Sequence, residues 1–273
     1  MTLKRFFRGI RVGMEMVLRL PFVNWFNPIL TVYLNLRSFP LRQALKMPVF
    51  VYGWPKLFTL LGSMECKGVC KIGMVKFNFT DYGGPDHPGM GTALNNWGKI
   101  VFSGPCEISS GIKINVFRFG TLELGRGCRI MPNSIVSVWS LVHIGTNTRV
   151  AHRSQIMDSN YHYIADIEKK IVRRRDVPVF IGDFVWICNS ATILAGAKIP
   201  SHLIVASHSL VNKDFSDVPE GSIIGGTPAK LLKTNSRRVF NPKLEQNISK
   251  YFNENPESSV FQLDADFEAS QCD

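Results

Sequence analysis

The chain has 273 residues, 45% of them apolar and 19% charged, which excludes a disordered chain and leaves room for a large core. Its formal net charge of +11 is uneven: residues 1–60 hold nine Lys or Arg against one acid, Glu15, while residues 251–273 hold six acids and no base. A basic front calls for an anionic partner such as a phosphate-bearing small molecule, an acidic glycan or a lipid surface, and without a nucleic-acid-binding motif no nucleic acid is expected.

Residues 3–20 can be drawn as a basic amphipathic helix, with Phe6, Ile10, Met14, Val17 and Leu18 on one broad face and Lys4, Arg5, Arg8, Arg11 and Arg19 elsewhere. Such a helix either packs on its own domain or a partner subunit, or lies on anionic lipid. The stretch VLRLPFVNWFNPILTVYL is interrupted by Arg19, Pro21, Asn24, Asn27 and Pro28. It falls short of the roughly 20 clean apolar residues of a membrane span. The expectation is a cytoplasmic protein, soluble or peripheral at the inner face of the membrane. Pro40, Pro48 and Pro55 then break the chain into short pieces, giving an N-terminal extension over 1–56.

From about 57 to 233 the chain keeps a six-residue beat. Ile181, Ile187, Ile193, Ile199, Val205 and Val211 follow one another at six-residue spacing. Upstream, Leu124, Ile130, Val136 and Val142 keep the same time, and a two-residue slip resets it to Ile144, Val150 and Ile156. Ile100, Cys106 and Ile112 fit, whereas Arg118 breaks the pattern. A helix repeats near every 3.6 residues and a simple strand every second residue, so six suits neither. It suits a chain that turns after each short strand and sends one branched apolar residue per face into a shared interior. Small residues four positions after the beat (Cys128, Ser134, Ser140, Thr148, Ser154, Ala191, Ala197, Ser209) and Gly125, Gly145 and Gly182 just after it fit tight turns. Residues 157–180 suspend the beat. Beyond 233, Asn241-Pro242 predicts a helix N-cap and first turn, followed by an acidic tail expected to be loosely ordered.

These repeats resemble the hexapeptide-repeat acyltransferases. The resemblance implies a mainly β chain folded as a left-handed parallel β-helix with three flat faces. N- and C-terminal helical appendages would flank it, over 1–56 and 234–273, and an extruded loop would leave it at about 157–180. The segment 181–233 resembles the C-terminal signature of the acetyl-CoA-dependent members: Trp186 stands at a common tryptophan, and Gly226-Thr227-Pro228-Ala229-Lys230 matches their closing turn. The resemblance implies that coenzyme A lies along a coil edge, with Trp186, Asn189, Ser207, Asn212, Lys213, Thr227, Pro228, Lys230 and Lys233 as its contacts. Ser207 stands at a common Ala and Asn212 at a common Thr. The lysines suit phosphates as point charges, and their plainer alternative is ordinary surface lysine.

The segment IMDSNYH resembles the family's I-M-D-x-D-x-H, which maps the family's histidine to His162 and its first acid to Asp158, with Asn160 in place of the second acid. A neutral imidazole can take a proton near physiological pH, and a carboxylate such as Asp158 can fix its tautomer. The expected reaction is direct acetyl transfer from acetyl-CoA to a saccharide hydroxyl, without a covalent enzyme intermediate. Cys188 is expected to fill a coil corner as a small thiol, not to act as a nucleophile. His143 and His152 are further candidates to line the acceptor pocket, His152 being the second choice for the base. His202 and His208 are expected on turns, and His87 lies in the Gly- and Pro-rich DYGGPDHPGMG. The run Lys169, Lys170, Arg173, Arg174 and Arg175 is either solvated surface or a phosphate-holding arm.

The family further implies a homotrimer with sites between subunits. N-acetylation of an amino sugar or antibiotic-like acceptor is the rival reaction. A γ-carbonic-anhydrase-like zinc hydratase would need three convergent histidines, for which His143, His152 and His162 are the candidates; a non-catalytic β-helix scaffold is the remaining rival. Six cysteines without a C-x-x-C pair, and Cys66 and Cys70 without further ligands near them, give no metal expectation and suggest free thiols in a reducing compartment.

Overall fold

The structure is a computed structural model that describes residues 25–80 and 91–273. The expected helix over 3–20, and most of the Gly- and Pro-rich excursion with His87, lie outside the described residues.

The chain winds into a three-sided prism of stacked parallel strands. Face 1 has nine strands, face 2 seven and face 3 six. One turn visits each face once: Ile181 points inward from face 3, Ile187 from face 1 and Ile193 from face 2, and Ile199 returns to face 3 directly over Ile181. The beat read from the sequence is therefore one inward residue per face. Vertical columns of these residues form the core. One runs Val51, Phe77, Ile108, Ile130, Val150, Ile187, Val205 and Ile224 on face 1; another runs Leu94, Ile114, Val136, Ile156, Ile193 and Val211 on face 2. Nearly all are fully buried.

The two-residue slip has a structural cause. Leu124 and Ile144 stack on face 3 twenty residues apart, whereas Ile181 and Ile199 stack eighteen apart. The two extra residues of the longer coil lie in the corner between faces 2 and 3, where Trp139 and Ser140 follow the strand Ile135–Val138. Face 3 there has four-residue strands with two inward positions, so both Val142 and Ile144 are buried. Arg118 sits in the same widened corner one coil earlier and is exposed, which is why it breaks the pattern.

Elsewhere the corners turn through left-handed residues. Asn133, Asn147, Arg153, Phe184, Ser190, His202 and His208 all have φ between 54° and 61° or within a degree of it. Apart from that of Asn133, their amides bond to the coil below, as from Phe184 N–H to Thr146 O at 2.8 Å and His202 N–H to Asp183 O at 2.8 Å. The hydrogen-bond ladder thus continues round the turn. His202 and His208 occupy equivalent turns, as their spacing predicts.

The first strand, Val49–Val51, already belongs to face 1, so the prism starts inside the segment expected to be an irregular extension. Helices α1 (Pro28–Ser38) and α2 (Leu41–Ala44) cap that end. At the other end the strands Ile223–Gly225 and Lys230–Lys233 form an antiparallel hairpin on face 1. Helix α3 (Pro242–Glu254) begins as predicted, with Asn241 accepting from the amides of Lys243 and Leu244 and Pro242 in the first turn. The acidic tail is better anchored than its composition suggests: Cys272 is buried, and its carbonyl accepts from the Phe240 and Asn241 amides at 2.5 and 2.8 Å. Among the described residues no helix is long and apolar enough to cross a membrane.

Candidate active site

The interruption of the beat is an arm that leaves the corner between faces 2 and 3 after the strand Gln155–Met157 and returns to the strand Val179–Ile181. It has structure of its own. Ser159 and Asp176 form an antiparallel bridge at its base, and Ala165–Asp166 pairs with Ile171–Val172 as a short hairpin. The Val177 amide donates to Asp158 O at 2.8 Å and the Asn160 amide to Arg175 O at 3.2 Å, closing the base. His162 lies on the outgoing limb. Its amide donates to Asn160 O at 2.7 Å; its side chain is exposed and has no hydrogen bond or ion pair among the described residues.

Asp158 does not meet His162. Its side chain is fully buried, Oδ1 accepts from the Trp139 amide at 2.7 Å, and Oδ2 accepts from those of Ser140 and Leu141 at 2.7 and 2.8 Å. Burial pushes its carboxyl up from the ordinary carboxylate value, and the amide hydrogen bonds pull the other way. Both carboxylate oxygens are taken up by these amides, so the carboxylate pins the root of the arm to the widened corner below it, and no hydrogen bond joins it to His162.

Residues that the motif did not flag complete the arm's seat. Phe117 and Trp139, stacked at 3.9 Å between centroids, take Tyr161 edge-on at 6.3 and 5.8 Å. The Tyr161 hydroxyl lies 2.5 Å from Ser137 Oγ. Arg175 places its guanidinium 4.4 Å from the Trp139 ring and 5.3 Å from that of Tyr163, donates to Tyr161 O at 3.1 Å and pairs with Asp176 at 3.2 Å. One member of the basic run is therefore a structural clamp, while Lys169, Lys170, Arg173 and Arg174 stay exposed. Below the arm, Trp97 and Phe119 are exposed at the same corner and line a cleft of about 400 Å³ with Arg118. Their signal in the sequence was an aromatic in each of three successive widened corners.

The expected coenzyme contacts fall into three places. Asn189 and Ser207 stack at the corner between faces 1 and 2, with Ser207 Oγ donating to Asn189 Oδ1 at 2.7 Å. Thr227 follows in the next coil, its hydroxyl donating to His208 O at 3.3 Å, and Pro228 is joined to it by a cis peptide. Asn212 and Lys213 are exposed after the strand Leu210–Val211, at the same corner as the arm and two coils from it; the Lys213 ammonium lies 5.0 Å from the Phe215 ring. Lys230 and Lys233 are exposed on the closing hairpin. Trp186 is on face 1 with one ring face already covered by the Arg238 guanidinium at 5.0 Å. Exposed ammonium groups and a polar corner suit a phosphate-bearing, amide-rich ligand. Within one chain, however, His162 and the Asn189–Ser207 pair lie on different corners.

Cys188 is half-buried and burial pushes its thiol up, the opposite of what a nucleophilic thiolate requires. His143 is on face 3, 3.0 Å from Glu123, and His152 is on the turn between faces 1 and 2. Among the described residues no three His, Cys, Asp or Glu side chains are grouped to hold a metal ion, so His143, His152 and His162 do not converge.

No family model matches the chain. Over 93 residues it is 34% identical to "Putative acetyltransferase YvoF" of Bacillus subtilis, covering 34% of this chain and 48% of that protein. Over 150 residues it is 26% identical to "Putative lipopolysaccharide biosynthesis O-acetyl transferase WbbJ" of Escherichia coli, covering 51% of this chain and 74% of that one. Over these stretches the chain is similar to proteins named as acetyltransferases. Its match spans only about half the length of the Bacillus relative. Among solved structures, the polysialic-acid-specific acetyltransferase NeuO aligns with a TM-score of 0.43 and 20% identity, over 79% of this chain and 91% of that one. The three sheets of stacked parallel strands agree with the parallel β-helix expected from the six-residue beat.

Proposed function

We propose that the chain transfers an acetyl group from acetyl-CoA directly to a hydroxyl of a saccharide, with His162 as general base. The observation that carries this reading is the exposed imidazole on an arm whose root is fixed by a buried carboxylate, three backbone amides and a stacked aromatic seat. A base must be held in place yet open to substrate, and the arm supplies both conditions. His162 would remove the proton of the acceptor hydroxyl as its oxygen attacks the thioester carbonyl. The tetrahedral intermediate then collapses to the acetyl ester, and the proton passes to the departing coenzyme A thiolate. Lys213, Lys230 and Lys233 would hold phosphates, Asn189, Ser207, Thr227 and Pro228 would line the pantetheine path at their corner, and Asn212, at the arm's corner, would meet that path only from a neighbouring subunit. The cleft with Trp97 and Phe119 would accept the saccharide, since exposed rings stack on the apolar faces of sugars.

The separation of His162 from the Asn189–Ser207 corner supports a site shared between neighbours in a homotrimer, the arm of one subunit facing the coenzyme edge of the next. A cytoplasmic location, where acetyl-CoA is made, goes with this reading. In a thiol-release assay with acetyl-CoA and a panel of saccharides, His162→Ala should lose activity by at least about a hundredfold. Coenzyme A binding measured by calorimetry should persist. Full activity in that variant would remove His162 from the mechanism, and turnover confined to amino sugars would make the reaction N-acetylation.

A further inference from the structure

The N-terminal end of the prism reverses the usual arrangement of an amphipathic helix. Among the described residues the first coil has no coil beneath it, so the N–H and C=O groups of its strand edges need other partners. Helices α1 and α2 answer them with side chains. Asn35 donates to Val49 O at 2.7 Å and accepts from the Val49 amide at 3.1 Å. Thr31 Oγ1 accepts from the Val51 amide at 3.0 Å, and Asn27 donates to Gly53 O at 2.8 Å. Gln43 forms a reciprocal pair with the Cys66 backbone at 3.0 and 2.8 Å. Asn27, Thr31 and Asn35 are consequently buried.

With Thr31 and Asn35 turned inward beside Leu34, much of the helix's apolar surface is left outside. Ile29, Val32 and Leu36 of α1, Leu41 and Leu45 at α2, and Ile72 in the adjoining corner are all exposed, Ile29 at 72% and Ile72 at 71%. A helix on a water-soluble surface shows the opposite order. The rim is cationic: Arg37, Arg42, Lys46 and Lys71 are exposed and form no ion pair among the described residues. Over residues 25–80 there are seven Lys or Arg and one acid, Glu65, which is bound to Lys99 at 2.8 Å.

We propose that this end of the prism docks on an anionic lipid bilayer, the aliphatic residues entering the headgroup–acyl boundary and the basic rim meeting phosphates. Charge selects this occupant. A second copy would bring the same uncompensated cations against these. An anionic surface gains from all of them. The orientation follows from the stacking. The coil that carries the arm is the fifth along face 1, so at about 4.8 Å per coil His162 stands about 20 Å from the first coil.

The test is co-sedimentation of the full chain with vesicles of phosphatidylcholine alone, or of equal parts phosphatidylcholine and phosphatidylglycerol. The mixed vesicles should bind at least about tenfold tighter. Val32→Glu with Leu36→Glu should weaken that binding at least about tenfold without changing the unfolding temperature, since both side chains point outward. Arg42→Glu with Lys46→Glu should reduce the preference for phosphatidylglycerol. Absence of wild-type binding, or wild-type binding by the Val32/Leu36 variant, overturns the proposal. So does a variant that lowers the oligomer mass or the unfolding temperature while vesicle binding stays intact, which would assign the face to another copy or to residues 1–24. Acetyl transfer is not read out, so the result stands apart from the proposed reaction.

Discussion

Removing the Asp158 carboxylate would orphan three backbone amides, those of Trp139, Ser140 and Leu141, at the root of the arm. Each buried donor left without a partner costs on the order of 1–3 kcal/mol, so Asp158→Ala should lower stability by about 3 kcal/mol or more. Asp158→Asn should fall between, because one amide oxygen can accept while the NH2 group faces a donor. Chemical denaturation measures both, and the readout separates two roles. If Asp158 oriented His162, the Asn variant would lose turnover at full stability; if it pins the arm, stability falls first. The motif located the carboxylate but could not show its task. The amides it serves are 17 to 19 residues upstream and reach it only through the winding of one coil. Phe117, Trp139 and Arg175 were hidden for the same reason, each belonging to a different coil or limb of the arm.

At the scale of the strand and corner, the coils are spaced by glycines that touch. A Cβ on Gly145 would stand 2.4 Å from the Gly182 carbonyl oxygen, and one on Gly125 2.5 Å from the Gly145 carbonyl carbon. Gly145→Ala should therefore cost about 2 kcal/mol by forcing the stacked coils apart, with thermal unfolding as the measurement. An unchanged melting temperature would mean the corner gives way more easily than its stacking implies. These glycines and the six-residue beat were readable because close approach and an inward branched residue each restrict the side chain directly. The left-handed corners were less so. Phe184 and Arg153 adopt φ of 53° and 60° with side chains that do not advertise it, held there by amides bonded to the preceding coil. The end cap was unreadable for another reason: Asn27, Thr31 and Asn35 look like the wet side of α1 until the bare edge of the first coil is known.

For the whole molecule the decisive question is how two corners of one prism make a single site. The arm leaves between faces 2 and 3, whereas Asn189 and Ser207 stack between faces 1 and 2. A rigid prism cannot fold one corner onto the other, so a second copy must bring them together if both act in one turnover. Complementation tests this directly. Chains carrying His162→Ala and chains carrying Asn189→Ala with Ser207→Ala are purified separately, unfolded, mixed in equal amounts and refolded. If sites lie between subunits, random assembly gives each site an intact arm and an intact coenzyme edge in about one case in four, so activity should return to about a quarter of wild type. If each chain holds a complete site, every chain in the mixture carries a defect and activity should stay at the mean of the two variants. Light scattering on the same samples reports the assembly, since a monomer leaves no geometry in which the arm could serve a neighbour's coenzyme edge.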